Sequence, residues 1–264
     1  MSRPMAVGVF SRRLPSGGSV RRLPPGGSYA DFRQAALVWF ASMNLFDKIA
    51  KNSMLFTARL LSGVTVVWYN SQPDLCQRIY FANHTSHLDA VVVWAALPHV
   101  VREKTRMVAA QDYWDAGWVR RYISRKLFNA ILIERENVSL KNTPVKVMLD
   151  GIKDEFSLIM FPEGGRSHDG TLGDFKSGLY YLCKKRPDLE LIPVYLNNMN
   201  SILPRGKTIP VPMLSRVVFG PPLWLEVGET KENFLGRARQ EVVKLQQLEE
   251  SVDDDDDGFS PESE

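Results

Sequence analysis

The run from Tyr80 to Leu97 constrains the fold more than any other stretch of the chain. An apolar, aromatic segment leads into the polar cluster Asn83-His-Thr-Ser-His-Leu-Asp89, and an apolar run from Ala90 to Leu97 follows. A short apolar segment bounded by polar residues reads as a buried strand, and the longer run after it as a helix. A strand that feeds a helix through a polar junction belongs to an α/β architecture, where strand ends carry the chemistry. The pattern returns downstream. Ser157 to Phe161 reads as a buried strand that runs into Pro162-Glu-Gly-Gly-Arg-Ser167, and Ala130 to Ile133 as a short strand that ends in Glu134-Arg135. Val64 to Trp68, Arg106 to Ala110, Arg216 to Phe219 and Leu223 to Val227 read as further strands; Gln111 to Asn129, Val138 to Lys153 and Glu232 to Glu249 read as helices. The expected fold is α/β, with a mixed central sheet flanked by helices.

Two residues of the first junction form a natural pair. On one continuous helix the spacing of His84 and Asp89 would splay them about 140° apart. If the helix instead begins near Ser86, His84 lies in the preceding turn and Asp89, in the first helical turn, can reach back to the imidazole. Neutral His84 then accepts a proton from a hydroxyl, while Asp89 fixes the tautomer and stabilises the imidazolium. A nearby helix N-terminus disfavours a charged imidazole beforehand. The same letters also read as a capping box, in which Ser86 and Asp89 close the helix start, and Asp89 can serve both purposes. His87 is the rival base. No third ligand motif accompanies His84, His87 and Asp89, so no metal is assigned.

The second junction suits an anion. Pro162 stops the strand, and Gly164-Gly165 permits a tight turn with exposed backbone N–H groups. Arg166 and Ser167 add donors, and Glu163 can accept from substrate hydroxyls. An ordinary strand-to-helix loop would also account for the two glycines. Arg135, at a strand end, offers a rigid fork matched to phosphate, or pairs with Glu134 or Glu136 on the surface.

Charge is unevenly distributed. Residues 249–264 hold nine acidic residues and no Lys or Arg, so the remaining body carries 33 basic against 21 acidic residues. A basic body suits an anionic partner: phosphate-bearing substrates, an acidic lipid surface or nucleic acid. The acidic end, 249–264, reads as a disordered tail, and residues 1–30, with five arginines, no acids and many Gly, Pro and Ser, as a disordered basic arm. Residues 31–62 read as two apolar, aromatic helices that lie in a membrane interface, with packing on the core as the alternative, leaving 63–248 as the main domain. The longest uncharged windows, Leu60 to Pro73 and Leu191 to Pro204, fall short of the ~20 residues that a spanning helix needs. The Gln111 to Asn129 stretch mixes Tyr113, Trp114, Trp118 and Tyr122 with Arg120, Arg121, Arg125 and Lys126. It reads as a core stripe plus a solvated face, with a membrane face as the alternative; no nucleic-acid motif accompanies it. Cys76 and Cys183, far apart in sequence, give no disulfide framework, which favours a reducing compartment. Nothing beside Cys183 would make it a nucleophile.

Asn83-His-Thr-Ser-His-Leu-Asp89 resembles the Asn-His-x-Ser-x-x-Asp motif of the glycerolipid acyltransferases, the family of the bacterial lysophosphatidate acyltransferases. Phe161-Pro-Glu-Gly-Gly-Arg-Ser167 resembles that family's Phe-Pro-Glu-Gly-Thr-Arg-Ser. Leu132-Ile-Glu-Arg135 stands where the family has an apolar pair followed by Asp-Arg, and Leu191-Ile-Pro-Val194 resembles its Pro-containing apolar strand. The likeness covers most of residues 54–225. It departs at Gly165, where the family has Thr, and at Glu134, where it has Asp; both departures bear on the acyl acceptor. The resemblance implies His84 as general base with Asp89 as its partner. It implies that Arg135 and Arg166 bind the acceptor's phosphate, that Glu163 and Gly164, in the loop with Gly165 and Ser167, hold its glycerol end, and that Pro193 shapes the acyl-donor side. Lys176, after Gly173-Asp-Phe, is a further anion contact suggested by its position alone.

The reaction expected is acyl transfer from acyl-CoA or acyl-carrier protein to lysophosphatidate, with no cofactor beyond the thioester co-substrate and no covalent enzyme intermediate. The setting expected is the cytoplasmic side, peripherally on the inner face of the cell membrane. Backbone around Gly164 and Gly165 is the candidate for the oxyanion's donors. Acylation of glycerol 3-phosphate or another lyso-lipid, thioester hydrolysis with His84 activating water, and a non-catalytic membrane-binding module are the competing readings.

Overall fold

The computed structural model describes residues 47, 49–54, 64–86, 88–135, 143–167, 170–197 and 215–257. The basic arm, most of the expected interfacial segment, His87 and the last seven residues lie outside them.

Among the described residues seven strands form one sheet, in the order β1-β7-β6-β2-β5-β3-β4. They are β1 (Thr65–Trp68), β2 (Arg78–Ala82), β3 (Thr105–Ala110), β4 (Ile131–Ile133), β5 (Ser157–Met160), β6 (Glu190–Leu196) and β7 (Arg216–Phe219). β6, β2, β5, β3 and β4 run parallel, whereas β7 is antiparallel to β6 and carries β1 parallel beside it. The sheet is therefore mixed, as expected. β2 lies at its centre, with Tyr80 opposite Ile159 on one side and Ile192 on the other. All five of its residues are buried, which explains the unbroken apolar run.

Alternation along β2 divides the core into two layers. Tyr80 and Ala82 face α1 (Asp89–Ala96), where Val92, Val93 and Trp94 pack against them. Ile79 and Phe81 face α5 (Pro144–Ile152), α6 (Gly178–Lys185) and α7 (Lys231–Asp257). α1 contains three consecutive valines, which local preference would place in a strand. Burial on nearly every side makes it a helix, and Pro98, just beyond it, ends it before the short α2 (His99–Glu103).

Three elements depart from expectation. Between β3 and β4, the single helix expected over Gln111–Asn129 is broken into α3 (Gln111–Trp114), α4 (Trp118–Tyr122) and a π turn (Ile123–Leu127). Ala116-Gly117 interrupts it, and the Phe128 N–H reaches back to the Ile123 carbonyl at 3.0 Å. The strand expected over Leu223–Val227 shrinks to one antiparallel bridge, Leu223 with Leu191, because residues after Leu223 would have to pair with residues before Leu191, and β6 begins at Glu190. Finally, the acidic tail does not begin at residue 249, because α7 continues to Asp257. Phe234, Ala238, Val242, Leu245 and Glu249 form its buried stripe, and Glu249 pairs with Arg216 of β7 at 3.5 Å.

Candidate active site

Parallel pairing places the ends of β2, β5, β3 and β4 along one carboxyl edge of the sheet, so the segments that start at Asn83, Phe161, Gln111 and Glu134 all leave from that edge. Asn83 makes the first junction rigid. It is buried, its Nδ2 donates to the Leu196 carbonyl at 3.0 Å, and its Oδ1 accepts from the Leu196 N–H at 2.8 Å. The side-chain amide thereby imitates one more strand residue and pins the chain just before His84.

His84 is held on four sides. Its Nδ1 lies 2.8 Å from Asp89 Oδ2, and its ring stacks on Phe161 at 4.1 Å between centroids. Its N–H donates to Glu163 Oε1 at 2.8 Å, and its carbonyl accepts from the Ser167 N–H at 2.7 Å. An ionised carboxylate only accepts, so Nδ1 carries the proton and the Nε2 lone pair is left for a substrate. The side chain keeps 21% of its surface open.

Asp89 is fully buried, and its Oδ2 also accepts the N–H groups of Thr85 at 2.7 Å and Ser86 at 2.8 Å. The carboxylate that orients the imidazole therefore also ties down the turn before α1. Ser86 does less of the capping than a capping box implies, its Oγ accepting, among the described residues, only from the Leu88 N–H at 3.3 Å. Asp89 Oδ1 is buried without a hydrogen-bond partner among the described residues.

Glu163 links the two junctions. Its Oε1 holds the His84 N–H, and its Oε2 holds the Gly173 N–H at 3.0 Å. The sequence suggested substrate hydroxyls as its partners. The structure engages both oxygens with main chain, making Glu163 a brace between the His84 turn and the Pro162–Ser167 loop. Gly164 is needed in that loop for two reasons. Its φ is +69°, and a Cβ there would stand 2.8 Å from Cδ of Lys176, whose chain lies across it. Its N–H bonds to the Phe161 carbonyl at 3.0 Å, so of the two glycine amides only that of Gly165 is without an acceptor among the described residues. This narrows the expected oxyanion donors to Gly165. Arg166 is half-buried and, among the described residues, has no hydrogen-bond or ion-pair partner.

Arg135 is exposed and forks onto Asp112, with Nη2 at 2.6 Å and Nε at 3.3 Å, rather than onto Glu134. This contact holds the Asp112 carboxyl below its ordinary range. Pro193 lies inside β6, opposite Phe81 and packed against Gly220, not at the strand end beside His84. Burial pushes the Cys183 thiol up to about 12, so it carries no thiolate near neutrality. Among the described residues no three His, Cys, Asp or Glu side chains converge, and none is assigned to a metal.

A buried carboxylate, an oriented imidazole, and a glycine loop that carries an arginine without a partner among the described residues make an arrangement that is able to activate a hydroxyl next to an anion. Residues 64–197 match the family model described as "Acyltransferase", and the chain belongs to that family. The 1-acyl-sn-glycerol-3-phosphate acyltransferase of Limnanthes alba is 30% identical over 167 residues, which are 62% of this chain and 56% of that protein. LPAT1, a chloroplastic protein of Arabidopsis thaliana with the same enzyme name, is 22% identical over 174 residues, 61% of this chain and 46% of its own. The chain thus spans about half the length of the curated relatives it matches. Among solved structures, the 1-acyl-sn-glycerophosphate acyltransferase PlsC of Thermotoga maritima superposes with a TM-score of 0.59 at 17% identity, over 83% of this chain and 89% of that one. At that identity the likeness speaks for the fold.

Proposed function

We propose that this protein transfers a fatty acyl group from a thioester to the free hydroxyl of lysophosphatidate, giving phosphatidate, at a membrane surface. The observation that carries the reading is the His84–Asp89 pair, with Nε2 free and the turn braced by Glu163 to the loop that carries Gly165 and Arg166. The names of the relatives support the same acceptor. Among the described residues no helix is long and apolar enough to cross a membrane, and the reading places the protein peripherally on the bilayer.

The acceptor's phosphate binds Arg166 and Arg135, the latter exchanging its bond to Asp112 for one to the substrate. The acceptor hydroxyl donates to Nε2. As its oxygen attacks the thioester carbonyl, His84 takes the proton and Asp89 stabilises the imidazolium. The tetrahedral oxyanion accepts from the Gly165 N–H. Collapse breaks the C–S bond, and the imidazolium returns its proton to the leaving thiolate. The thioester is already activated, so positioning and proton removal suffice without an acyl-enzyme.

The test is thiol release from a long-chain acyl-CoA, or from acyl-carrier protein, with lysophosphatidate, with glycerol 3-phosphate or with neither. Release that requires lysophosphatidate supports the proposal, and the donor that works identifies the physiological thioester. Release that needs glycerol 3-phosphate instead reassigns the acceptor, and equal release without any acceptor makes the protein a hydrolase.

A further inference from the structure

The segment between β3 and β4 presents a surface that neither the core nor the proposed chemistry uses. Trp114, Ile123, Leu127 and Phe128 fasten it to the core. Trp118 does not join them. It is 82% exposed, and the neighbouring Val119 is 47% exposed. From Trp118 to Lys126 the chain carries Arg120, Arg121, Arg125 and Lys126 and no acid, and all four cations are exposed. The guanidinium groups of the three arginines are held. Arg120 lies over the Tyr113 ring at 4.4 Å, and Asp115 holds Arg121 at 3.5 Å and Arg125 at 3.0 Å. The nearby acids are engaged, Asp115 by these arginines, Asp112 by Arg135 and Asp47 by the Tyr122 hydroxyl.

We infer that α4 and the following π turn form a docking surface for an anionic lipid bilayer. Trp118 inserts at the headgroup boundary, and the four cations pair with lipid phosphates. Tryptophan favours that boundary because its ring is apolar and its N–H is polar. Each cation close to an anionic leaflet adds about a fivefold gain in binding. A protein partner fits less well, since stable interfaces bury about 800 Å² on each side, far more than two adjacent apolar side chains offer. The segment leaves β3 at the carboxyl edge of the sheet, and Asp112 within it grips Arg135. Docking here therefore puts the bilayer next to the arginine proposed to meet the acceptor's phosphate. The inference deepens the proposed function and rests on it for its biological purpose.

The test is co-sedimentation of the full chain with vesicles of phosphatidylcholine alone and with roughly one-third phosphatidylglycerol. Wild type, Trp118→Ala and Arg120→Gln/Lys126→Gln are compared, after circular dichroism has shown that each is folded. Trp118→Ala should lower partitioning at least tenfold on the anionic vesicles. The double variant should lower it about twenty-five-fold there, hardly at all on neutral vesicles, and 0.5 M salt should erase the difference. With a short-chain, monomeric lysophosphatidate both variants should react at the wild-type rate; with vesicle-borne acceptor they should slow in step with lost binding. Partitioning that stays within twofold of wild type in both variants overturns the surface and leaves the patch to a protein partner. Equal losses by the double variant on both vesicle types overturn the pairing with lipid phosphate. If the variants lose binding as stated while wild type acylates neither form of the acceptor, the acylation reading fails and the docking surface stands.

Discussion

Replacing Glu163 by Gln keeps the size of the side chain and turns one acceptor oxygen into an NH₂ group. Glu163 holds two backbone donors, the His84 N–H at 2.8 Å and the Gly173 N–H at 3.0 Å. Glutamine can accept only one of them and must point its NH₂ at the other. Hydrogen bonds to a charged acceptor contribute about 1.5–3 kcal/mol each. Glu163 is only half-buried, so the lower part of that range applies, about 1.5–2 kcal/mol for the bond lost. If the loosened junction is felt wholly in the transition state, kcat/KM falls by about 10- to 30-fold. The split between the two constants distinguishes the roles. A brace that positions His84 predicts a drop in kcat with little change in the acceptor's KM, whereas a group that grips substrate hydroxyls predicts a rise in KM. Initial rates of acceptor-dependent thiol release, taken over a range of lysophosphatidate concentrations, decide between them. A tenfold rise in KM at unchanged kcat would refute the brace.

Three further outcomes are expected. Asp89→Asn should lower kcat by about 10³-fold in a protein that still folds, because an amide orients the imidazole poorly and does not stabilise the imidazolium; steady-state rates beside thermal melts check this. Gly164→Ala should cost about 1–3 kcal/mol of stability, and removing Lys176 as well should restore only part of it, since the +69° φ strain remains; urea melts of the single and double variants measure both effects. Two bonds from Arg237, at 2.7 and 2.9 Å, hold the Glu229 carboxyl below its ordinary range. Its folded-state value is thus lower than its unfolded value, so its contribution to stability is present near neutrality and is lost as pH falls through the depressed folded value. Urea midpoints below pH 5 should therefore fall less steeply in Arg237→Met than in wild type.

The chemistry of the site is carried by short-range features, and these are the ones legible in the sequence. A strand, a polar junction and a helix bring His84 and Asp89 together over a few residues, so their spacing makes the pair a candidate, beside a capping box and His87 as rival base. The partners that make the junction rigid lie far away in the chain. Asn83 binds Leu196, His84 binds Glu163, and Arg135 binds Asp112. Pattern and periodicity carry no signal for such contacts. The one hint at Asn83 was an amide directly after a fully buried strand, where an unpaired polar group would be costly. The misread elements failed for a related reason. Helix preference favoured one helix over Gln111–Asn129, but Ala116-Gly117 interrupts it, Trp114 and Phe128 pack together against the core, and Trp118 is left outside. Charge density marked Glu249 as the start of a solvated tail, yet the α7 stripe buries it against Arg216.

The account depends most on His84 Nε2 as the base. Phosphatidate formation from lysophosphatidate and a long-chain acyl-CoA, followed for wild type and for His84→Ala of verified fold, tests it most directly. The prediction is a loss of at least 10³-fold in kcat with the acceptor still bound. An alanine variant that makes phosphatidate within tenfold of the wild-type rate would contradict it.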